Sequence, residues 1–202
     1  MTQVTQLLPP ADQTHPWPEQ GQWTYEDYLR LPDDGRRYEL IEGVLYMANA
    51  PFYDHQFAVL KIASKLEQFI ESQQSGVVIA APFEVHLPGI AKPVQPDILF
   101  IRTERQPASG TQIFEGAPDL IVEVLSPGSL RLDQYVKFGA YERAGVREYW
   151  IADPKARVIT IYYLPENSPE YILSGQFTTN ETLQSKLLPG LAFVAGTVFP
   201  AQ

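Results

Sequence analysis

The sequence predicts an α/β layer fold in a single domain, on three observations. Its 202 residues are 45% hydrophobic and 19% charged, the make-up of one globular domain of ordinary size. Segments with the 3.6-residue apolar period of helices are interleaved with short strand-like runs, as expected where helices pack on a sheet. One helical segment stands between two strand-like runs and so offers a βαβ crossover. No repeat with a period of about twenty to fifty residues is found, which sets solenoids and propellers aside.

Residues 1–22 hold Gln3, Gln6, Pro9, Pro10, Gln13, Pro16, Pro18 and Gln20 among few apolar groups. Such a composition buries too little to offset the entropy of ordering, so a flexible tail is expected, with Trp17 the side chain most able to dock. Residues 23–202 form the expected single domain. It opens with a short helix from Tyr25 to Leu31, capped by Thr24, with Asp27 in its first turn and Pro32 and Gly35 ending it. Arg37 to Ile41 and Val44 to Ala48 flank Glu42-Gly43 as a β-hairpin. From Asp54, a candidate cap, Ala58, Val59, Ile62, Leu66, Phe69 and Ile70 mark one face of an amphipathic helix that Gly76 stops. Val77 to Leu87, Ile98 to Ile101 and Leu120 to Leu125 are strand-like, separated by turn-rich stretches such as Leu87-Pro88-Gly89 and Pro107 to Pro118. Asp133 to Ala144 fits a further helix closed by Gly145, after which Glu148 to Ala152 and Arg157 to Tyr163 pair around Asp153-Pro154. In the C-terminal segment only Ala192 to Phe199 has an extended pattern.

With 24 acidic and 15 basic residues the formal net charge is -9. That is the wrong sign for coating nucleic acid by bulk electrostatics, so any contact with phosphate is local or bridged by a metal ion. The lack of cysteine excludes disulfides, thiol nucleophiles and cysteine zinc sites, and it fits a reducing compartment. The N-terminal residues lack the basic and apolar regions of a signal peptide, and no apolar run approaches the roughly 20 residues that span a bilayer. The expectation is a soluble, cytoplasmic protein that does not engage membranes.

Glu123 is the most informative residue. Alternation from Asp119 to Leu125 puts Ile121, Glu123 and Leu125 on one face and Leu120, Val122 and Val124 on the other, so both faces are apolar and buried. A carboxylate there is costly unless something compensates it. An arginine partner or a half-exposed strand edge would serve, and so would a metal ion. Asp97 opens Ile98-Leu99-Phe100-Ile101 directly after Val94-Gln95-Pro96. Taken alone it is a turn residue; together with Glu123 on a neighbouring strand it makes a pair of oxygen ligands suited to Mg²⁺ or Mn²⁺.

Four runs, in order, resemble one known family: Tyr38-Glu39-Leu40-Ile41-Glu42-Gly43, Val94-Gln95-Pro96-Asp97, the stretch from Ala117 to Pro127, and the stretch from Gly145 to Pro154. They resemble the Uma2 family, a domain of formerly unknown function that is abundant in cyanobacteria and classed with restriction endonucleases. The resemblance covers roughly residues 24–192. It implies the PD-(D/E)XK nuclease superfamily, with a restriction-endonuclease-like mixed central sheet flanked by helices behind the N-terminal β-hairpin. It also implies a metal-dependent endonuclease that hydrolyses DNA phosphodiesters with Mg²⁺ or Mn²⁺. Carried over by that resemblance, Asp97 takes the superfamily's Asp and Glu123 its second acid, both as metal ligands.

Where the superfamily pattern has lysine two places after the second acid, this chain has Leu125, which can neither orient water nor neutralise phosphate. In similar nucleases the lysine migrates to the following helix, and Lys137 sits where Uma2 proteins carry one, in a stripe with Asp133 and Tyr141. From the residues alone, Asp133 and Lys137 would be an exposed pair worth only about 0.3–0.5 kcal/mol. Glu39 matches an acidic position ahead of the Gly43 turn and is a further candidate catalytic acid; alternation with Arg37 and Ile41 equally allows a solvent-facing hairpin residue.

His15 lies in the tail and His86 alternates with Glu84 on a strand. His55 matches a frequent family position, although a lone histidine at a helix start is more often structural, and no two histidines have metal-ligand spacing. No serine nucleophile elbow or phosphate-cradling glycine loop is present, and Trp23, Trp150, Tyr162 and Tyr163 are explained by packing. The sum is an expected Mg²⁺- or Mn²⁺-dependent endodeoxyribonuclease with Asp97, Glu123, Lys137 and Glu39 as catalytic residues, DNA as substrate, and a homodimer suited to cutting two strands. The rival reading is a non-catalytic DNA-associated or regulatory protein on the same scaffold, which the acidic balance favours slightly. A carboxylate-pair glycosidase finds no sugar-binding pattern to support it.

Overall fold

Two sheets meet along a line that passes close to Glu123; the computed structural model describes residues 16–47 and 51–201. The elements are α1 (Tyr25–Leu29), β1 (Tyr38–Ile41), β2 (Val44–Met47), α2 (Tyr53–Gln73), β3 (Gly76–Ala80), β4 (Glu84–Leu87), β5 (Ala91–Val94), β6 (Ile98–Arg102), β7 (Ile113–Glu115) and β8 (Leu120–Val124). A π-helical segment, Leu132–Lys137, then runs directly into α3 (Phe138–Ala144). The chain finishes with β9 (Glu148–Asp153), β10 (Val158–Tyr163), β11 (Ile172–Phe177), β12 (Thr182–Gln184) and β13 (Ala192–Val194).

The larger sheet has the order β11-β10-β9-β8-β6-β3. Only β8 and β9 are parallel in it, joined by the crossover through α3, while its other neighbours are antiparallel. This is the expected βαβ unit and the expected mixed α/β architecture. The smaller sheet, β2-β1-β5-β4-β7, contains the hairpin. Alternation on β8 decides what each face of the larger sheet does. Leu120, Val122 and Val124 pack under α2 with Ala58, Ile62 and Leu66, whereas Ile121 and Leu125 join Ala140 and Tyr141 of α3 and Val85 and Val94 of the smaller sheet. Glu123 therefore points to the side where α3 and the smaller sheet come together. No helix among the described residues is long and apolar enough to cross a membrane.

Several boundaries differ from the sequence expectation for identifiable reasons. The run Val77 to Leu87 is not one strand. It breaks around Ala81-Pro82, since proline offers no N–H to a ladder, and its halves enter different sheets as β3 and β4. β5 contains Pro93, which argues against a strand in sequence; its ladder to β1 is a single pairing, Ile41 with Ala91. Asp54 lies inside the first turn of α2 and not at its cap. That helix ends on Gln74 in the left-handed region, and Gly76 opens β3. β11 lacks alternation and is interrupted by Gly175, and β12 is only three residues long, so they carry little strand signal.

Two features outside regular periodicity hold the ends of the domain. Glu148, fully buried on β9, accepts hydrogen bonds from Trp150 Nε1 (3.0 Å), Ser185 Oγ (2.5 Å) and Lys186 N (2.9 Å), which pins the C-terminal segment to the sheet. At the other end, residues 1–15 of the expected tail lie outside the described residues, while residues 16–22 pack on the hairpin. The Gln20 side chain makes strand-like bonds to Leu45, accepting from its N–H (2.8 Å) and donating to its carbonyl (3.2 Å). Gly21 and Trp23 both donate to the Gly43 carbonyl, and the Trp17 and Trp23 rings stack at 5.5 Å. The turn itself needs Gly43: φ is 49° at Glu42 and 73° at Gly43, the paired positive values of a type I′ hairpin, and a Cβ on Gly43 would stand 2.5 Å from the Gly21 carbonyl oxygen.

Because of these contacts, deleting residues 1–22 should lower stability by about 3 kcal/mol, from one aromatic stack and three hydrogen bonds, a fall in Tm of roughly 6–12 °C for a domain of this size. A thermal melt of the shortened chain checks this; an unchanged Tm would mean that the segment does not hold the hairpin in solution.

Candidate active site

The smaller sheet contributes one strand end, the larger sheet another, and the π-helical segment a third wall. Glu39 comes from β1, Glu123 from β8, and Asp97 from the link between β5 and β6, while Asp133 and Lys137 stand on Leu132–Lys137 and His55 on the first turn of α2. All six line one cleft of about 80 Å³, room for a few waters at roughly 30 Å³ each. The structure thus brings together Asp97, Glu123, Lys137 and Glu39, and adds Asp133 and His55.

Lys137 Nζ is at the centre, 2.9 Å from Glu39 Oε1, 3.0 Å from Glu123 Oε1 and 3.7 Å from Asp133 Oδ1. The alternatives of an exposed Asp133 to Lys137 pair and a solvent-facing Glu39 are both corrected. Glu39, Glu123, Asp133 and Lys137 are each no more than 4% exposed. Glu39 is covered because both faces of β1 are buried: its Tyr38 and Leu40 pack with Trp23, Trp17 and Tyr28, leaving Ile41 and Glu39 to face the other side. Its carboxylate also accepts the Gln95 N–H at 2.7 Å. Leu125, where the strand lysine was missing, is core, packed in the same cluster as Tyr141 and Ile151.

The remaining bonds fix each carboxylate in a distinct way. Glu123 Oε1 accepts from Lys137 Nζ and from the Tyr141 hydroxyl at 2.7 Å. Asp97 Oδ2 accepts the Val124 N–H at 2.8 Å and lies 3.1 Å from His55 Nε2. Glu123 Oε2 and Asp97 Oδ1 have no hydrogen-bond partner among the described residues. Gln95 also lines the cleft, and its Oε1 is buried without a partner among the described residues.

Protonation follows from this crowding. Burial by itself would strip the proton from Lys137, but the carboxylates of Glu123, Glu39 and Asp133 more than reverse that, so its pKa lies well above the usual lysine value. Burial pushes the Glu123 carboxyl well above the ordinary range, against the pull of Lys137. Asp133 is pushed up to about 6, again by burial first, with Glu39 and Asp97 adding to it. Asp97 goes the other way: burial is outweighed by the His55 hydrogen bond and charge and by the Val124 N–H, and its pKa is lowered. The signal for Asp133 was available in sequence, since it shares a helical stripe with Lys137 and Tyr141; only the burial of that stripe was not.

A π segment carries both Asp133 and Lys137. π turns recur at functional sites because the wider coil re-aims side chains within a helix. Here it feeds α3, so that Lys137 and Tyr141 reach the same Glu123 oxygen.

Two measurements follow from the crowding. Lys137→Met should destabilise the fold by roughly 3 kcal/mol or more at about pH 8, since it strands buried carboxylates, and the deficit should shrink as the pH falls and those carboxyls take up protons; urea denaturation across pH reads both. Asp133→Asn should act in the opposite sense. A folded pKa of about 6 against an ordinary 3.8 means that ionising Asp133 costs stability, in full above pH 6 and not at all well below pH 4. The Asn variant should gain roughly 1–3 kcal/mol over the parent at about pH 8, a gain that fades toward low pH; a loss at pH 8 would contradict the assignment.

Compared with known proteins, the chain matches the family model of Uma2, described as "Putative restriction endonuclease", over residues 25–197. No curated protein matches it. Among solved structures, the crystal structure of a putative nuclease belonging to DUF820 from Anabaena variabilis is similar with a TM-score of 0.74 over 88% of this chain and 97% of that one, at 19% identity. That likeness speaks for the fold. The type IIG restriction endonuclease BpuSI is matched over 63% of this chain and 15% of its own, at 14% identity and a TM-score of 0.34. Since the family model takes in every element from α1 to β13, the protein belongs to the Uma2 family.

Proposed function

We propose that the protein is a metal-dependent endonuclease that hydrolyses DNA phosphodiesters at the cleft between the two sheets, with Asp97, Glu123, Lys137 and Glu39 as its working residues. One observation carries the reading: four carboxylates line a small cleft in which Lys137 is the single ammonium. Such crowding of acids is unfavourable unless protons or a further cation neutralise it, and a divalent ion would do so while leaving the carboxylates ionised.

The donor set fits Mg²⁺ or Mn²⁺. Magnesium is held through one or two carboxylates and keeps several waters or phosphate oxygens, and Asp97 and Glu123 each retain one uncommitted oxygen. Among the described residues no group of three or more acidic, histidine or cysteine side chains stands at ligand spacing, so water and substrate would complete the shell. When bound, such a cation supplies charge neutralisation at the phosphate and lowers the pKa of a bound water.

The side chains have separate tasks. His55 and the Val124 N–H hold Asp97 Oδ2 and leave Oδ1 uncommitted, the oxygen that would hold the cation. Tyr141 and Lys137 do the same for Glu123 through Oε1. Glu39, itself fixed by Gln95 N, orients the Lys137 ammonium. An ammonium has three donors, and with only two short bonds made, the one nearest Asp133 at 3.7 Å is available to an attacking water or to a phosphate oxygen as negative charge develops.

Calorimetric titration with Mn²⁺ should show binding that Asp97→Asn and Glu123→Gln both abolish, and metal-dependent cleavage of supercoiled or single-stranded DNA should fall at least ~100-fold in each, the usual scale for losing a positioned catalytic group. Parent-like Mn²⁺ affinity in both variants would remove Asp97 and Glu123 from the site. A parent that binds Mn²⁺ yet leaves DNA intact would favour a non-catalytic protein on the nuclease scaffold.

A further inference from the structure

The acidic cleft poses a problem for its own substrate. A phosphodiester is an anion, and the basic groups already described are engaged, the Lys137 ammonium by Glu39 and Glu123 and the His55 ring by Asp97. The chain as a whole, at a net charge of -9, supplies no attractive field of its own.

Arg37 stands in the wall of the same cleft. It directly precedes β1, and alternation puts it on the Glu39 side of the strand. It is part-buried among Glu39, Asp97, Glu123 and Asp133, yet its side chain makes no ion pair or hydrogen bond among the described residues. The contrast with other arginines is informative: Arg102 and Arg105 pair with Asp119, Arg143 with Glu42 and Arg30 with Asp27. No carboxylate oxygen of this acid-rich cleft pairs with the guanidinium, although Asp97 Oδ1 and Glu123 Oε2 are uncommitted: the acids are fixed through their other oxygens by Lys137, His55 and backbone N–H groups. The serine hydroxyls that line the cleft are engaged within their own loop. Ser129 Oγ accepts from Ser126 N at 3.0 Å, and the two hydroxyls bond each other at 3.2 Å.

We propose that Arg37 is the phosphate-binding residue of the cleft, donating through its planar fork to two oxygens of one phosphodiester of a nucleic-acid strand and so seating that phosphate over Asp97 and Glu123. The inference rests on the nuclease reading of the cleft. A guanidinium remains charged at any working pH and matches phosphate oxygens bidentately, which an ammonium cannot do. The contact is to backbone, so it carries affinity and register and no base preference.

The test is equilibrium binding of a fluorescein-labelled oligothymidylate, followed by anisotropy with Ca²⁺ present, over a series of salt concentrations, for the parent, Arg37→Gln and Arg37→Lys. Arg37→Gln should weaken binding roughly tenfold or more, the scale of one charge-assisted contact, and should flatten the slope of log affinity against log salt by about 0.7, one phosphate on a single strand. Arg37→Lys should keep the slope without recovering the full affinity. Mn²⁺ binding should not weaken in either variant, since losing a neighbouring positive charge cannot loosen a cation site, whereas a collapse of the cleft on loss of a merely structural Arg37 would weaken it; Arg37→Lys stays informative if the Gln variant folds poorly. Equal affinities and slopes for parent and variants, or a parent that does not bind the strand, would overturn the proposal even if the parent cleaves DNA. Weakened binding in Arg37→Gln beside a parent that cuts no DNA would leave the phosphate contact standing and reject the endonuclease reading.

Discussion

The Lys137 ammonium is the interaction on which this architecture turns. It takes one carboxylate from each sheet, Glu39 and Glu123, and lies on the segment that links β8 to β9. A Glu buried on an apolar strand needs compensation, which neutral donors supply at Glu148 and the ammonium supplies at Glu39 and Glu123. The same contact therefore joins the sheets and assembles the cleft.

The arrangement is balanced toward negative charge. One ammonium faces four carboxylates, and they respond unequally, with Asp97 held ionised by His55 and the Val124 N–H while burial lifts Glu123 and Asp133. A structure selected only for stability would replace such a cluster with apolar groups at little or no loss. On the function proposed above, the cluster, carried in part on the π segment of Asp133 and Lys137, would serve a divalent cation and an anionic substrate. It also reconciles an acidic chain with nucleic acid, since phosphate would be met locally, by Arg37 and a bridging cation, and not by a basic surface.

The parts of this that were legible in sequence are those set by short-range periodicity. Strict alternation from Leu120 to Leu125 placed Glu123 among apolar neighbours, and the stripe of Asp133, Lys137 and Tyr141 placed the three on one side of their helix. Alternation says which residues share a face and not what covers it. Glu39 could be exposed or buried until residues 16–22 and α1 were seen to cap the opposite face of β1, and the apparently mobile Gln20 owes its order to a side chain that mimics a strand partner. The same limit hid Arg37. It was visibly in phase with Glu39, but its significance lies in the partners it lacks inside a three-dimensional cluster. Pro82 marks the opposite case, a local signal that the apolar run from Val77 to Leu87 overrode, where the chain in fact leaves one sheet for the other, and Pro93 lies in a strand whose ladder to β1 is a single pairing.

The central claim, that this carboxylate excess is a divalent-metal site, is tested most directly by a crystal of the protein soaked in Mn²⁺ and measured for anomalous scattering. One peak is expected in the cleft, within bonding distance of Asp97 Oδ1 and Glu123 Oε2, with Lys137 still paired to Glu39. An empty cleft at saturating Mn²⁺, or a peak held by other residues, would contradict it.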